Sequence, residues 1–255
     1  MANHKKKKKP IDQPENVSGG NLFLVSTPIG NLEDMTIRAK RILAEVDFIL
    51  AEDTRTARFL LSQFTIKKTI LSYYSYNEEK RIPQILTELK NGKNIALISE
   101  AGTPLISDPG YKLVVQAIQN RIPVIPVPGP SAIIAALVAS GLPTDRFVFE
   151  GFLPRKKGRK TCLERLAKET GTIIIYESPL RIQKTIEDIV KILGNRYIVV
   201  AREITKKFEE FKRGFALDIL KELGAQKIKG EIVLLVAGTR YQNPHSSEER
   251  KVIHE

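Results

Sequence analysis

Residues 95–110 read IALISEAGTPLISDPG, and this stretch decides the fold. Ile95–Ile98 is a four-residue apolar run, too short for a helix and followed by polar and Gly/Pro residues, so it predicts a buried β-strand. The loop behind it, from Ser99 to Pro109, is rich in small and turn-forming residues, and Gly110–Asn120 then reads as a helix. A strand, a turn-rich loop and an amphipathic helix make up the repeating unit of an α/β fold with a largely parallel sheet.

The same unit recurs on both sides of this stretch. Strands are predicted at Leu22–Ser26, Phe48–Ala51, Pro123–Val127, Phe147–Glu150, Thr172–Tyr176, Tyr197–Ala201 and Glu231–Ala237. Helices are predicted at Met35–Glu45, Thr54–Gln63, Lys80–Asn91, Ser131–Ser140, Thr161–Lys168, Pro179–Leu193 and Ala216–Leu223. Residues 124–132, VIPVPGPSA, force the chain to turn, because proline neither continues a helix nor donates within a central strand. Two α/β domains are therefore expected, at residues 21–127 and 128–240, between a lysine-rich leader at 1–20 and a polar tail at 241–255, both read as disordered.

Composition narrows the function classes. No apolar run reaches the roughly 18 residues of a membrane span, and the basic start MANHKKKKKP lacks the apolar stretch of a signal peptide. Cys162 is the single cysteine, so no internal disulfide is possible and a reducing, cytoplasmic setting fits. The net charge is +12, of which the leader supplies +3. A basic body attracts polyanions such as nucleic acid without reading sequence, although solubility charge gives the same composition.

Five predicted strands run into chemistry-bearing clusters at their carboxyl ends: Thr27-Pro28-Ile29-Gly30, Glu52-Asp53-Thr54-Arg55, Ser99 to Pro104, Glu177-Ser178-Pro179 and Arg202-Glu203. Ligands of open α/β sheets bind outside those ends. Asp53 and Ser131 equally suit helix capping, and Asp53–Arg55 or Glu203–Lys206 equally suit structural ion pairs. Neither a GxGxxG fingerprint nor a GxxxxGK[ST] loop occurs. His4, His245 and His254 all lie in the terminal segments, so histidine catalysis and a histidine metal site are not expected. Carboxylates, Lys, Arg, hydroxyls, backbone groups and a bound cofactor remain to carry any reaction.

The motifs LFLVSTPIGNLEDMTIRAKRIL, AEDTR, ISEAGTPLISDPG, VPGPSA, YESPLRI, REITKKFEE and KGEIVLLVAG, spanning residues 21–238, resemble those of the tetrapyrrole methylase superfamily. Within it they are most similar to the branch that 2′-O-methylates cytidine in small-subunit ribosomal RNA. The resemblance implies two α/β domains with S-adenosylmethionine in a cleft between them, a homodimer, and the small ribosomal subunit or its RNA as partner. It implies cofactor contacts from Pro28, Ala101, Gly102, Thr103, Ile106, Ser131, Ala132, Tyr176, Glu177, Glu231 and Ile232. Glu100 stands where many members have Asp.

A ribose hydroxyl needs help in losing its proton, so Asp53 or Glu100, then Glu203, are the expected bases, with Arg202 steadying the developing alkoxide. Arg55, Lys206 and the basic loop of Arg155, Lys156, Lys157, Arg159 and Lys160 are expected to meet RNA phosphates. Tyr73, Tyr74 and Tyr76 offer rings for an unpaired base, or pack at a surface. A small-molecule methylase and a non-catalytic RNA-binding assembly factor remain the competing readings.

Overall fold

Apolar strands separated by amphipathic helices build two sheets in a computed structural model, which describes residues 19–224 and 228–242. The lysine-rich leader up to residue 18 and the tail from residue 243 lie outside the described residues. The described residues divide into two units: residues 19–25, 37–100 and 104–128 form the first, and residues 26–36, 101–103, 129–224 and 228–242 the second.

The first unit runs β1 (Leu22–Val25), α1 (Ile37–Glu45), β2 (Phe48–Ala51), α2 (Thr54–Gln63), β3 (Thr69–Ser72), α3 (Glu78–Lys90), β4 (Ile95–Ile98), α4 (Tyr111–Gln119) and β5 (Val124–Val127). Its sheet has the order β3-β2-β4-β1-β5, and every pairing is parallel. Central strands β4 and β1 read as uninterrupted apolar runs because both faces are covered. Leu22, Leu50, Ile95 and Leu97 pack with Ile85 and Leu89 of α3 and Leu113 and Ala117 of α4.

The second unit continues with α5 (Ala132–Ser140), β6 (Phe147–Phe152), α6 (Arg159–Leu166), β7 (Thr172–Glu177), α7 (Ile182–Leu193), β8 (Tyr197–Arg202), β9 (Glu210–Phe215), α8 (Ala216–Leu223) and β10 (Ile232–Val236). Its sheet, β6-β7-β10-β8-β9, is parallel only between β6 and β7, which corrects the expectation of largely parallel pairing throughout. Alternation along the strands separates two cores. Ile173, Ile175, Leu234 and Val236 pack with Ile182, Ile186 and Ile219, while Ile174, Val233 and Leu235 pack with Ile133 and Leu137 of α5.

Two strands, β3 and β9, escape the sequence reading, and both lie at sheet edges. An edge strand is covered less completely, so its sequence keeps charges such as Lys212 and Arg213 that break the apolar signal.

Candidate active site

The order of the first sheet points to a place for a ligand. From β1 the chain proceeds to β2, beyond β4; from β4 it proceeds to β5, beyond β1. The connections leaving these adjacent strands cross to opposite sides of the pair, which makes their carboxyl ends the topological switch point of the sheet, the place where open α/β sheets bind ligands.

Within the second unit these loops form one cluster. Thr27 and Gly102 exchange backbone hydrogen bonds of 2.9 and 3.0 Å. Ser26 Oγ lies 3.1 Å from Thr103 Oγ1, whose hydroxyl donates to the Pro130 carbonyl at 3.0 Å. Glycine is required here by space and by conformation. A Cβ on Gly129 would come within 2.8 Å of Ser26 Cβ, and Gly102 sits at φ +84°. Pro28 is buried at the base of the cluster, Ala101 is exposed, and Ser131, ahead of α5, keeps its hydroxyl off the helix amides.

The turn after β8 clamps the first of these loops. Glu203 and Thr205 take left-handed backbone angles, φ 51° and 66°. Lys206 Nζ bridges Glu203 at 2.9 Å and Glu231 at 2.8 Å, and a Cβ on Gly30 would collide with its side chain. Thr205 Oγ1 donates to Asp34 at 2.6 Å. Glu203 also accepts from the Glu231 amide at 2.9 Å, and that bond, helped by Lys206, holds its carboxyl below the usual range. Arg202 pairs with Glu210 at 3.0 Å and donates to the Lys229 carbonyl. Glu203, Arg202 and Lys206 are thus bound into the frame of the loops.

Glu177 serves the same purpose on β7. Its side chain is 0 % exposed and accepts from the Ser178 amide at 2.7 Å, the Thr185 hydroxyl at 2.5 Å and the Arg181 guanidinium at 3.1 Å. Tyr176 beside it packs edge-on to Phe149, with ring centroids 4.9 Å apart. Ile232 is buried in β10, and Glu231 ahead of it is exposed.

The first unit holds the remaining carboxylates. Asp53 caps α2, accepting from the Arg55 amide at 2.7 Å and from its guanidinium at 2.8 Å. Those bonds hold its carboxyl down at about 2, which leaves a weak base. Glu52, Asp53, Ser99 and Glu100 line a small pocket with Thr56, Ala57 and Leu60. Asp108, which the sequence reading passed over as part of a turn, behaves differently. Burial, followed by the charges of Glu52 and Glu100, pushes its carboxyl up to about 6. Its loop is strained, with Leu105 at φ 71° and Ser107 at φ 69°, each costing roughly 1–3 kcal/mol. Ile106 lies exposed between them. The end of that loop is fixed from behind: the buried Tyr73 donates its hydroxyl to Glu78 at 2.8 Å, and Glu78 accepts the Gly110 amide at 3.2 Å. Tyr73 is therefore removed from the rings available to a base.

The basic segment is not a uniform loop. Arg155, Lys156 and Lys157 are exposed ahead of α6, whereas Arg159 and Lys160 open that helix. Arg159 is spent on structure, reaching Asp188 at 2.9 Å, Thr185 at 2.8 Å and the Pro154 carbonyl. Lys160 lies 3.7 Å from Glu164, and Arg55 stays highly exposed while paired with Asp53.

The fold is shared with solved structures. The structure of diphthine synthase superposes with a TM-score of 0.67 at 14 % identity, covering 86 % of this chain and 90 % of that one. The family model for tetrapyrrole (corrin/porphyrin) methylases matches residues 21–219. The family model defines a methyltransferase that takes its methyl group from S-adenosylmethionine. Two curated relatives carry the name ribosomal RNA small subunit methyltransferase I. That of Thermotoga maritima is 49 % identical over 219 residues, 86 % of this chain and 99 % of that protein. That of Halalkalibacterium halodurans is 50 % identical over 220 residues, 86 % of this chain and 76 % of that protein. The chain belongs to the ribosomal RNA small subunit methyltransferase I family.

Proposed function

We propose that the chain methylates the 2′-oxygen of a cytidine ribose in small-subunit ribosomal RNA. The observation that carries this reading is the identity of about half of the aligned residues with relatives named for that RNA, over nearly the whole length of one of them. The basic body, part of a +12 chain, supports a polyanionic substrate.

The loop cluster suits the cofactor. Gly129 leaves no room for a side chain and the positive φ of Gly102 disfavours one, so the cluster is built of backbone groups and small side chains that a ligand can approach closely. Pro28, Ala101, Gly102, Thr103, Ile106, Ser131, Ala132, Tyr176, Glu231 and Ile232 are the residues we assign to holding it, with Glu177 fixing the end of β7. When bound, S-adenosylmethionine supplies a methyl group already activated by the positive sulfur. What is left to the chain is to align the acceptor oxygen and accept its proton. We assign the proton to Asp108. A carboxyl that titrates near 6 is ionised at neutral pH yet more basic than an ordinary aspartate, and it shares a loop with Ala101–Ile106. Glu100, exposed at the start of that loop, is the second candidate. An RNA substrate of this kind places the reaction in the cytoplasm. The uncharged outer face of α5, with Ile134 and Val138 exposed, supports a homodimer, which the molar mass in solution tests.

The test is to incubate the full chain with radiolabelled S-adenosylmethionine and small subunits from cells lacking the protein, and then to map the label. Label on the ribose 2′-oxygen of one cytidine is expected. Absence of label on both subunits and free RNA, with the cofactor bound, would transfer the assignment to a small-molecule acceptor.

A further inference from the structure

From Thr54 to Asn77 the chain carries no acidic residue, although Asp and Glu supply 29 of its 255 positions. The same stretch holds Arg55, Arg58, Lys67 and Lys68 interleaved with aromatic rings. Cations grouped with aromatics, free of acids, are the composition of a surface for a single-stranded polyanion.

The structure turns this composition into a face. Helix α2 buries Ala57 and Leu61 and presents Arg55, Arg58, Phe59 and Ser62 on the opposite side, at spacings of three and four residues. Phe59 is 66 % exposed in the middle of that face, so its ring is open to a stacking partner beside Arg55 and Arg58. Arg58 makes no ion pair with any described residue, so its charge is available. The turn after β3 adds a second set of rings. Tyr76 is 97 % exposed, and Tyr74 stands edge-on to it with centroids 6.5 Å apart. Asn77 holds the turn, accepting from the Tyr74 amide at 2.9 Å and donating to the Ser72 carbonyl at 3.2 Å, so the rings are presented by a fixed backbone. Strands β2 and β3 are parallel neighbours, and the Tyr73 amide donates to the Ala51 carbonyl at 2.8 Å. The start of α2 and the tyrosine turn thus leave the same edge of the sheet side by side.

We propose that this edge, formed by the outer face of α2 and the Tyr74–Tyr76 turn, binds an unpaired segment of the ribosomal RNA substrate. One base stacks on Phe59, another on Tyr76, and a phosphate pairs with Arg58. The inference rests on the ribosomal RNA reading above and adds to it a surface for the RNA outside the reacting nucleotide. Stacking suits an unpaired segment, whose base faces are uncovered, since every base has a face and none need be read by its edge. Paired RNA hides its base faces and has no use for exposed rings. A protein partner would leave the acid-free composition unexplained.

The test uses the full chain and whichever substrate the labelling assay establishes, small subunit or free RNA, with affinity measured across a salt series and methyl transfer under steady state. Phe59→Ala and Tyr76→Ala are each expected to weaken binding by roughly tenfold and leave the salt slope unchanged. Phe59→Tyr should bind like the parent. Arg58→Gln should lower the slope of log K against log salt by about 0.7, the loss of one single-strand phosphate contact. In all three weakened variants KM for the RNA rises while kcat and the thermal shift with S-adenosylmethionine stay at parental values. Parental affinity in Phe59→Ala together with an unchanged slope in Arg58→Gln overturns the surface and leaves the methylation reading intact. Weakening by Phe59→Ala with no salt-slope change in Arg58→Gln points to a protein contact on the subunit and overturns it as well. If the parent chain labels no ribosomal RNA, the reading and this surface fail together.

Discussion

Asp108 holds its proton to about pH 6 because it is partly buried and faces Glu52 and Glu100. In the unfolded chain it ionises near the ordinary aspartate value of 3.8, so between these two values the native state binds more protons. Stability from this group is therefore present below pH 4 and is lost as pH rises to 6. Asp108→Asn removes that penalty. It should raise stability at pH 7 by about 1 kcal/mol after allowance for solvent screening, with no gain at pH 4, as thermal melts at the two values will show. The same substitution should lower kcat by roughly 10²–10⁴-fold and abolish the rise of the parental rate through pH 6. Asp53 lies at the other extreme, held at about 2 by Arg55. Asn is as good a helix cap as Asp, so Asp53→Asn should leave kcat unchanged at neutral pH. A large fall in kcat would return Asp53 to the chemistry.

At the scale of elements, α6 and α7 share an apolar core through Leu163, Leu166, Ile182 and Ile186, and one guanidinium ties them at its edge. Arg159 and Asp188 are only 13 and 19 % exposed, and Thr185 and the Pro154 carbonyl complete the set. Arg159→Ala should destabilise by about 2–4 kcal/mol, and Arg159→Lys should rescue little, because an ammonium cannot reach three acceptors in one plane. Lys156→Ala and Lys157→Ala, on the exposed segment before the helix, should leave the melting temperature unchanged and lower only RNA affinity. Five basic residues within six positions thus divide into structure and surface, and nothing in Arg155 to Lys160 announces the division. Its cause is Asp188, whose place opposite Arg159 is set by the packing of two helices. The elements themselves were legible where they were buried: β2, α2, β4 and α8 coincide with the predicted spans. Edge strands β3 and β9 were not, since half-covered strands need not be apolar.

For the whole molecule, binding to the folded chain alone must raise its stability. S-adenosylmethionine at a hundred times its Kd should add about 2.7 kcal/mol, visible as a rise in melting temperature. Gly129→Ala pushes a Cβ to 2.8 Å from Ser26 and should destabilise the chain by about 1–3 kcal/mol. Because Ser26 also meets Thr103, the same variant should shrink the cofactor-induced shift. A full shift on a destabilised background would separate the loop cluster from cofactor binding. The sequence by itself determined the α/β class, most strand and helix positions, and the loops whose motifs resemble a methylase family, because apolar runs and Gly/Pro turns are local signals. Which carboxylate stays basic was decided only by the tertiary structure. Asp53, Glu203 and Asp108 are alike on paper, yet Arg55 lowers the first, the Glu231 amide and Lys206 lower the second, and burial beside two like charges raises the third. A proton's affinity depends on neighbours in space, and the fold brings residues as distant as Asp34 and Thr205 within 2.6 Å.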